Sequence, residues 1–525
     1  MKNKQIANIM FFSRGMSCPD LVSNLKNIDR FPCSQKQLEL MENYDVPFTY
    51  MLDFNAIVDP RYREVLSKFP NCEIGVWFEV VRTLTDKAGI KYKGRDGYNW
   101  DFHCDASFSV GYPLEQRKLF VDLYMQEFKD AFGRYPKVFS AWVLDAYTLN
   151  YLYEKYHIEA SCMCRDQWGT DGITLWSGYF GQGFYPCKNN ILCPAQTKEN
   201  QIDVPVFRML GSCPIYQYDA GLKVDEGPAD WMGVITLEPS YKDENTGGGG
   251  VPKWVDWFLK ENYRKDTLGF NYAHIGQEST FGWNNQKDGT KYQIEKLIEM
   301  QNRGEVTLQT LLETAREFKE CYALTPATAI TALDDWKGTG AQSFWYETRN
   351  YRINCVRENG EFRIRDINLF REDYLERYRE TVLDSNKMYF DNLPVIDGNR
   401  WSGNGVRAGI YPCIRAKDGQ YTALKGETSV SFGENDETIT VKDGDTVFSL
   451  YLTEEGIRIT CNRDFKLEMK MSGKGEKPSV KGNSLHYRHE GFAYSLPVLS
   501  GICAEEDGNI VLRPEKGTLE ISCIK

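Results

Sequence analysis

Six carboxylates stand at or just beyond the ends of apolar runs: Asp53, Glu79, Asp145, Asp166, Glu238 and Glu278. Two such groups facing one bond can supply the acid and the base or nucleophile that cleave a glycosidic linkage. Burial raises the pKa of one, and hydrogen bonding keeps the other ionised. A second cluster, YNWDFHCD at residues 98–105, holds a DxHxD triplet of Asp101, His103 and Asp105. Such a triplet can ligate a metal or serve as a polar loop lining a sugar site. With 5 His in the chain, the polar loop is favoured and no metal or other cofactor is expected. His274, in AHIGQES, either polarises a substrate hydroxyl or satisfies a buried carbonyl. The loops between runs carry aromatic and polar residues: Trp168, Trp176, Tyr179, Phe184 and Tyr185, then Tyr216, Tyr218 and Asp219, then Trp283 and Asn284. Aromatic faces stack on the C–H faces of pyranose rings. About half of these side chains are expected only to pack the loops against their support.

Chemistry of this kind needs a scaffold that gathers distant segments. Residues 133–172, GRYPKVFSAWVLDAYTLNYLYEKYHIEASCMCRDQWGTDG, read as strand, helix, strand, with polar residues at each strand's exit. Strand candidates at residues 7–12, 47–52, 73–78, 138–144, 157–164, 204–210, 233–237 and 268–275 mostly alternate with helical stretches, such as 114–132 with Phe120, Tyr124, Phe128 and Phe132 on one stripe. Seven or eight strands in alternation with helices fit a β/α barrel better than an open sheet. No GxGxxG follows the first strand, which argues against a dinucleotide fold. Near residue 330 the texture changes to short alternating runs broken by turns such as ENGE, KDGD and EEDGN. That pattern predicts an antiparallel β-sandwich over residues 329–525, after a barrel over residues 1–328. One helix is expected within it at residues 371–383. The glycines at 247–250 read as a flexible connection or flap rather than an anion site.

Composition narrows the partners. The chain has 525 residues, 63 basic and 74 acidic side chains, and a net charge of −11. No Lys/Arg cluster suggests nucleic acid. No apolar run reaches the length of a membrane span. The apolar stretch at residues 9–12 is too short for a signal-peptide core, so a cytoplasmic chain is expected. The 15 Cys are odd in number and scattered, which favours reduced thiols, Cys162 and Cys164 included. Nothing in the sequence marks an oligomeric state.

The strand order, FGRYPKVFSAWVLDAYTLNYLYEKYHIEAS and the EIG at Glu73 make the chain resemble the polysaccharide-deacetylase-like barrel superfamily. That superfamily includes metal-dependent sugar deacetylases and retaining glycoside hydrolases on a (β/α)7 barrel. CRDQWGTDGITLWSGYF, DVPVFRMLGSCPIYQYD and TPATAITALDDW are similar to an uncharacterised bacterial two-domain family labelled as glycoside hydrolases. The deacetylase pattern has an Asp-Asp pair after the first strand and two His after EIG. Here the chain has Phe12, Ser13 and Arg14, and then EIGVWFEV. Those departures weigh against a metal and against deacetylation. The hydrolase pattern puts a nucleophile after the fourth strand and a proton donor after the seventh, which implies Asp145 and Glu278. Asp53, Glu79, His103, Asp166, Trp168, His274 and Trp283 are then expected to line the site. The resulting expectation is a glycoside hydrolase acting on a carbohydrate. A metal-dependent deacetylase and a non-catalytic glycan-binding barrel are the alternatives.

Overall fold

The computed structural model describes residues 3–17, 26–473 and 477–525. Seven strands run parallel: β1 (Gln5–Ser13), β2 (Phe48–Leu52), β3 (Cys72–Trp77), β4 (Phe139–Ser140), β5 (Ser161–Met163), β6 (Val206–Arg208) and β7 (Asn271–Ile275). Backbone pairing joins them in the order β7-β1-β2-β3-β4. A parallel bridge between Val138 and Ala160 carries the ring on to β5, and β5 pairs with β6. Between β6 and β7 no ladder forms among the described residues, so the expected barrel is open there. The Leu210 amide donates to His274 Nδ1 at 3.3 Å, and Phe207 meets Tyr272 with ring centroids 5.0 Å apart. Side chains thus bridge the seam that backbone leaves unpaired. The segment expected as a further strand at 233–237 contributes only an antiparallel bridge, Ser212 to Thr236.

Because the strands are covered on both faces, they read as nearly continuous apolar runs. Along β1, Ile6, Met10 and Phe12 turn into the ring, while Ala7, Ile9 and Phe11 face the outer helices. Those helices are α1 (Phe31–Met41), α2 (Pro60–Leu66), α3 (Leu114–Phe132), α4 (Ala146–Tyr156), α5 (Pro252–Asn262) and α6 (Trp283–Asn302). The next helix, α7 (Leu311–Cys321), starts with a capping box of Thr310 and Glu313. Its Leu311, Ala315 and Phe318 join the inner core, closing the ring at the end opposite the strands' carboxyl termini. The stripe on α3 is as expected, with Phe120, Tyr124 and Phe128 buried, and the helix stops at Gly133 in the left-handed region.

From Thr328 onward the chain forms two antiparallel sheets, one of ten strands and one of eight. Ile439, Val441, Phe448 and Leu450 of the second share a core with Phe362, Ile364 and Leu467 of the first. The helix expected at residues 371–383 does not form; only a single 3-10 turn, Arg377–Arg379, is present. Glu376 explains its place: its carboxylate accepts from the amides of Ala146 and Ile191 in the α/β half. Residues 247–250 are also not a free flap. Gly247, Gly248 and Gly249 are buried, and a Cβ on Gly247, where φ is +90°, would lie 2.3 Å from the Trp254 ring. None of the described cysteines is in a disulfide, and Cys162 and Cys164 are buried.

Candidate active site

Residues at the carboxyl ends of the strands converge around one guanidinium. Arg14 follows β1 and is 3% exposed. Its Nε and Nη2 donate to the two oxygens of Glu79 at 2.6 and 2.7 Å. Its Nη1 donates to Glu278 Oε1 at 2.6 Å and to Thr280 Oγ1 at 2.8 Å. Trp100 lies over the guanidinium with its ring centroid 4.2 Å away. Burial opposes the arginine's charge, but Glu278 and Glu79 more than offset it and raise its pKa. The site rests on an aromatic floor. Phe12 stacks on Trp77 at 3.9 Å, and Trp142 meets both edge-on at 5.3 and 5.4 Å.

Backbone geometry brings these groups together. The β1–β7 pairing ends in a parallel bridge between Phe12 and Glu278. It depends on Gly276, at φ +122°, where a Cβ would fall 1.7 Å from the Met10 carbonyl oxygen. Trp77 ends β3 and Glu79 follows two residues later, and Trp77 Nε1 donates to Glu79 Oε1 at 2.9 Å. Trp100 Nε1 donates to Glu79 Oε2 at 2.6 Å. Glu79 therefore receives four donors and is fully occupied as an acceptor. Asp53 caps the turn after β2, with Oδ1 accepting from the Gly15 and Ala56 amides at 2.8 Å each. Burial pushes Asp53 up to about 7, against those two hydrogen bonds.

Glu278 is different. Its Oε1 faces Arg14, while Oε2 accepts only from Trp142 Nε1 at 3.2 Å. Its side chain is 7% exposed, and Trp142 beside it is half-buried. Burial raises its pKa, with Arg14 opposing and Glu79 adding. Next to it, Gln277 links to Glu238, whose Oε1 accepts from Gln277 Nε2 at 3.4 Å and whose Oε2 accepts from Thr236 Oγ1 at 3.2 Å. Burial pushes Glu238 up to about 7; Arg165 opposes this and the charge of Glu278 adds to it. The centre therefore holds one carboxylate pinned by a permanent cation and a second that titrates near neutrality.

The other expected site residues lie elsewhere. Asp145 is fully buried as the N-cap of α4. Its oxygens accept from Thr148 N, Thr148 Oγ1 and Ser109 Oγ at 2.7–2.9 Å, and Arg117 Nη1 lies 3.3 Å away. It shares no partner with Glu278. Asp166 bonds Arg352 at 2.8 Å, between the two halves of the chain. His274 sits mid-strand opposite Asn8, and burial lowers its pKa to about 3, so it is neutral. His103 is half-buried, its Nδ1 3.9 Å from Asp101; Asp101 itself accepts from Arg95 N and Nε at 2.7 and 2.9 Å. Trp168 packs near Trp176 and Tyr389 under Arg400, and Trp283 opens α6 half-buried. Arg14, Trp77, Trp100, Trp142 and Gln277 are absent from the residues expected to line the site. The signal available for Arg14 is a charged residue directly at the first strand's exit, where the deacetylase pattern has acids.

The donor set does not suit the metal of the deacetylase pattern. No group of three or more His, Cys, Asp and Glu converges among the described residues. Between Glu79 and Glu278 the positive charge is the guanidinium of Arg14.

Fold and site together define an open parallel β/α barrel with a carboxylate–guanidinium cluster at its mouth. No family model matches the sequence, and no curated protein matches it. Among solved structures the chain is similar to a candidate glycoside hydrolase/deacetylase from Parabacteroides distasonis. Identity is 14%, the match covers 75% of this chain and 90% of that one, and the TM-score is 0.51. A candidate polysaccharide deacetylase from Mycobacterium smegmatis matches at 12% identity over 61% of this chain and 92% of its own, with a TM-score of 0.34. The likeness to the Parabacteroides protein is one of fold.

Proposed function

We propose that the chain is a carbohydrate-active hydrolase, and within that class a glycoside hydrolase, with Glu278 and Glu238 as its working carboxylates. The observation that carries this reading is their unequal environment beside one another. Glu278 contacts a guanidinium that stays charged and opposes the upward push of burial on its pKa, the contact a base or nucleophile needs. Glu238 titrates near 7, where a general acid is most effective. The acid–base pair assumed for glycosidic cleavage needs this kind of split. Asp145, which the resemblance put forward as nucleophile, already has its oxygens engaged by Thr148 and Ser109, so its role here is to hold α4.

Arg14 keeps Glu79 and Glu278 apart in charge and fixes Glu278 in orientation. Half-buried Trp142 offers an apolar face beside Glu278, as pyranose binding requires. The test is turnover on a panel of oligosaccharides and aryl glycosides by the wild-type chain, Glu278→Gln and Glu238→Gln. Hydrolysis by the wild type, lost in both variants without loss of folding, is expected. Release of acetate from acetylated sugars with no glycosidic cleavage would replace this reading by the deacetylase.

A further inference from the structure

Arg165, two residues past β5, has no use in the chemistry above and yet is 4% exposed. Its Nε and Nη2 have no protein acceptor, and its Nη1 has only a 3.9 Å contact with Cys164 Sγ. Those two nitrogens form one edge of the guanidinium, the edge that takes both oxygens of a carboxylate. Arg14 in the same mouth uses that same edge on Glu79. The two buried arginines nearest in kind are occupied: Arg208 donates to the carbonyls of Cys164, Tyr179 and Leu175, and Arg352 pairs with Asp166 and Asp366. The charge of Arg165 acts on Glu238 and on Tyr241, which places it on their side of the mouth. It forms no ion pair with Glu238 within contact distance, so that carboxylate does not complete its free edge.

A buried guanidinium edge without an acceptor is costly for a fold to keep. It is retained at little cost when a ligand completes it. We propose that Arg165 is the receptor for a sugar carboxylate, so that the site takes an acidic glycan built on uronic acid residues. A single carboxylate matches the single free edge in charge and shape. A phosphate dianion suits the place less well, because Glu238 and Glu278 stand nearby. This inference rests on reading the barrel mouth as a sugar site.

The test measures binding and does not depend on turnover. D-glucuronate and D-galacturonate are titrated into the full chain by calorimetry, each against its neutral amide, with acetate as a third arm. We expect at least one uronate to bind ten or more times tighter than its amide, with acetate far weaker. Arg165→Gln should remove that preference, and Arg165→Lys should restore part of it. Equal affinity for acid and amide, no binding of either, or an unchanged preference in Arg165→Gln would overturn the proposal. Acetate as tight as the uronates would overturn the sugar part of it. If Arg165→Gln fails to fold, the acid-against-amide comparison on the wild type decides alone. Neutral glycosides cleaved by a chain that ignores uronates would leave the hydrolase standing and remove only the carboxylate receptor. Uronate binding without any cleavage would do the reverse.

Discussion

Two of the buried arginine–carboxylate clusters among the described residues differ in what they leave free. At the barrel mouth, Arg14 joins Glu79 and Glu278, and Glu278 Oε2 keeps capacity beside a half-buried Trp142. Between the two halves, Arg352 joins Asp166 and Asp366, all at 0–1% side-chain exposure. There the remaining groups are also engaged: Ser177 N donates to Asp166 at 3.1 Å, and Arg352 donates to the Gly178 carbonyl at 2.6 Å. Similar residue types and similar burial thus serve different ends. Burial with every acceptor used makes a joint. Burial with one oxygen in reserve, next to a second carboxylate that burial pushes up to about 7, is the arrangement on which the proposed chemistry rests.

The sharpest way to break this comparison is at Glu278. Glu278→Gln keeps shape and removes charge, so kcat on a confirmed glycoside should fall roughly 10³-fold while the thermal midpoint hardly moves. The mirror experiment is Arg352→Met, which strands Asp166 and Asp366. It should lower stability by about 3–5 kcal/mol in urea unfolding and leave kcat per folded molecule within about twofold. If Arg352→Met abolished turnover in a fully folded chain, the two clusters would not be separable as joint and site.

Glu238→Gln should cost roughly 10²-fold and change the pH profile. An acid works while protonated, so wild-type activity should fall as pH rises through the region near 7 set by Glu238. The variant should lose that limb. Asp53, also pushed up to about 7, is the control: Asp53→Asn should keep the limb, and its disappearance there would move the acid to Asp53. Asp145→Asn retains a capping side chain but gives up a charge, so about 1–2 kcal/mol of stability should go with little change in kcat. A loss near that of Glu278→Gln would return the nucleophile to Asp145. The smallest expected effect is that of a chelator, which should leave turnover within about twofold because Arg14 is the cation between the carboxylates. Activity lost to chelator and restored by zinc would contradict that account.

Parallel strands with outer helices followed by antiparallel strands were legible in the sequence, because period and length of apolar runs reflect local backbone geometry. Glu79, Glu238 and Glu278, on which the proposed site rests, were visible as polar endings of buried runs. The division at 328/329 is a proposal, and limited proteolysis that releases a stable fragment beginning near residue 329 would test it. Short strands were harder. The run at 138–144 contributes only Phe139–Ser140 to the ladder, since its exit bends into the capping turn of Asp145. The helix read at 371–383 gave way to contacts with the other half through Glu376; tertiary bonds overrode local periodicity.

By itself, the sequence determined which residue types stand at each strand end and that no acidic pair follows the first strand. Which of six carboxylates meet was decided by the tertiary structure alone. Strand order and register place Glu278 beside Phe12 and bring Arg14 between Glu278 and Glu79. They send Asp166 to Arg352 and leave Asp145 to cap α4. The physical reason is that a carboxylate's role depends on the donors it meets and the water it loses, and both are set by segments hundreds of residues away in the chain.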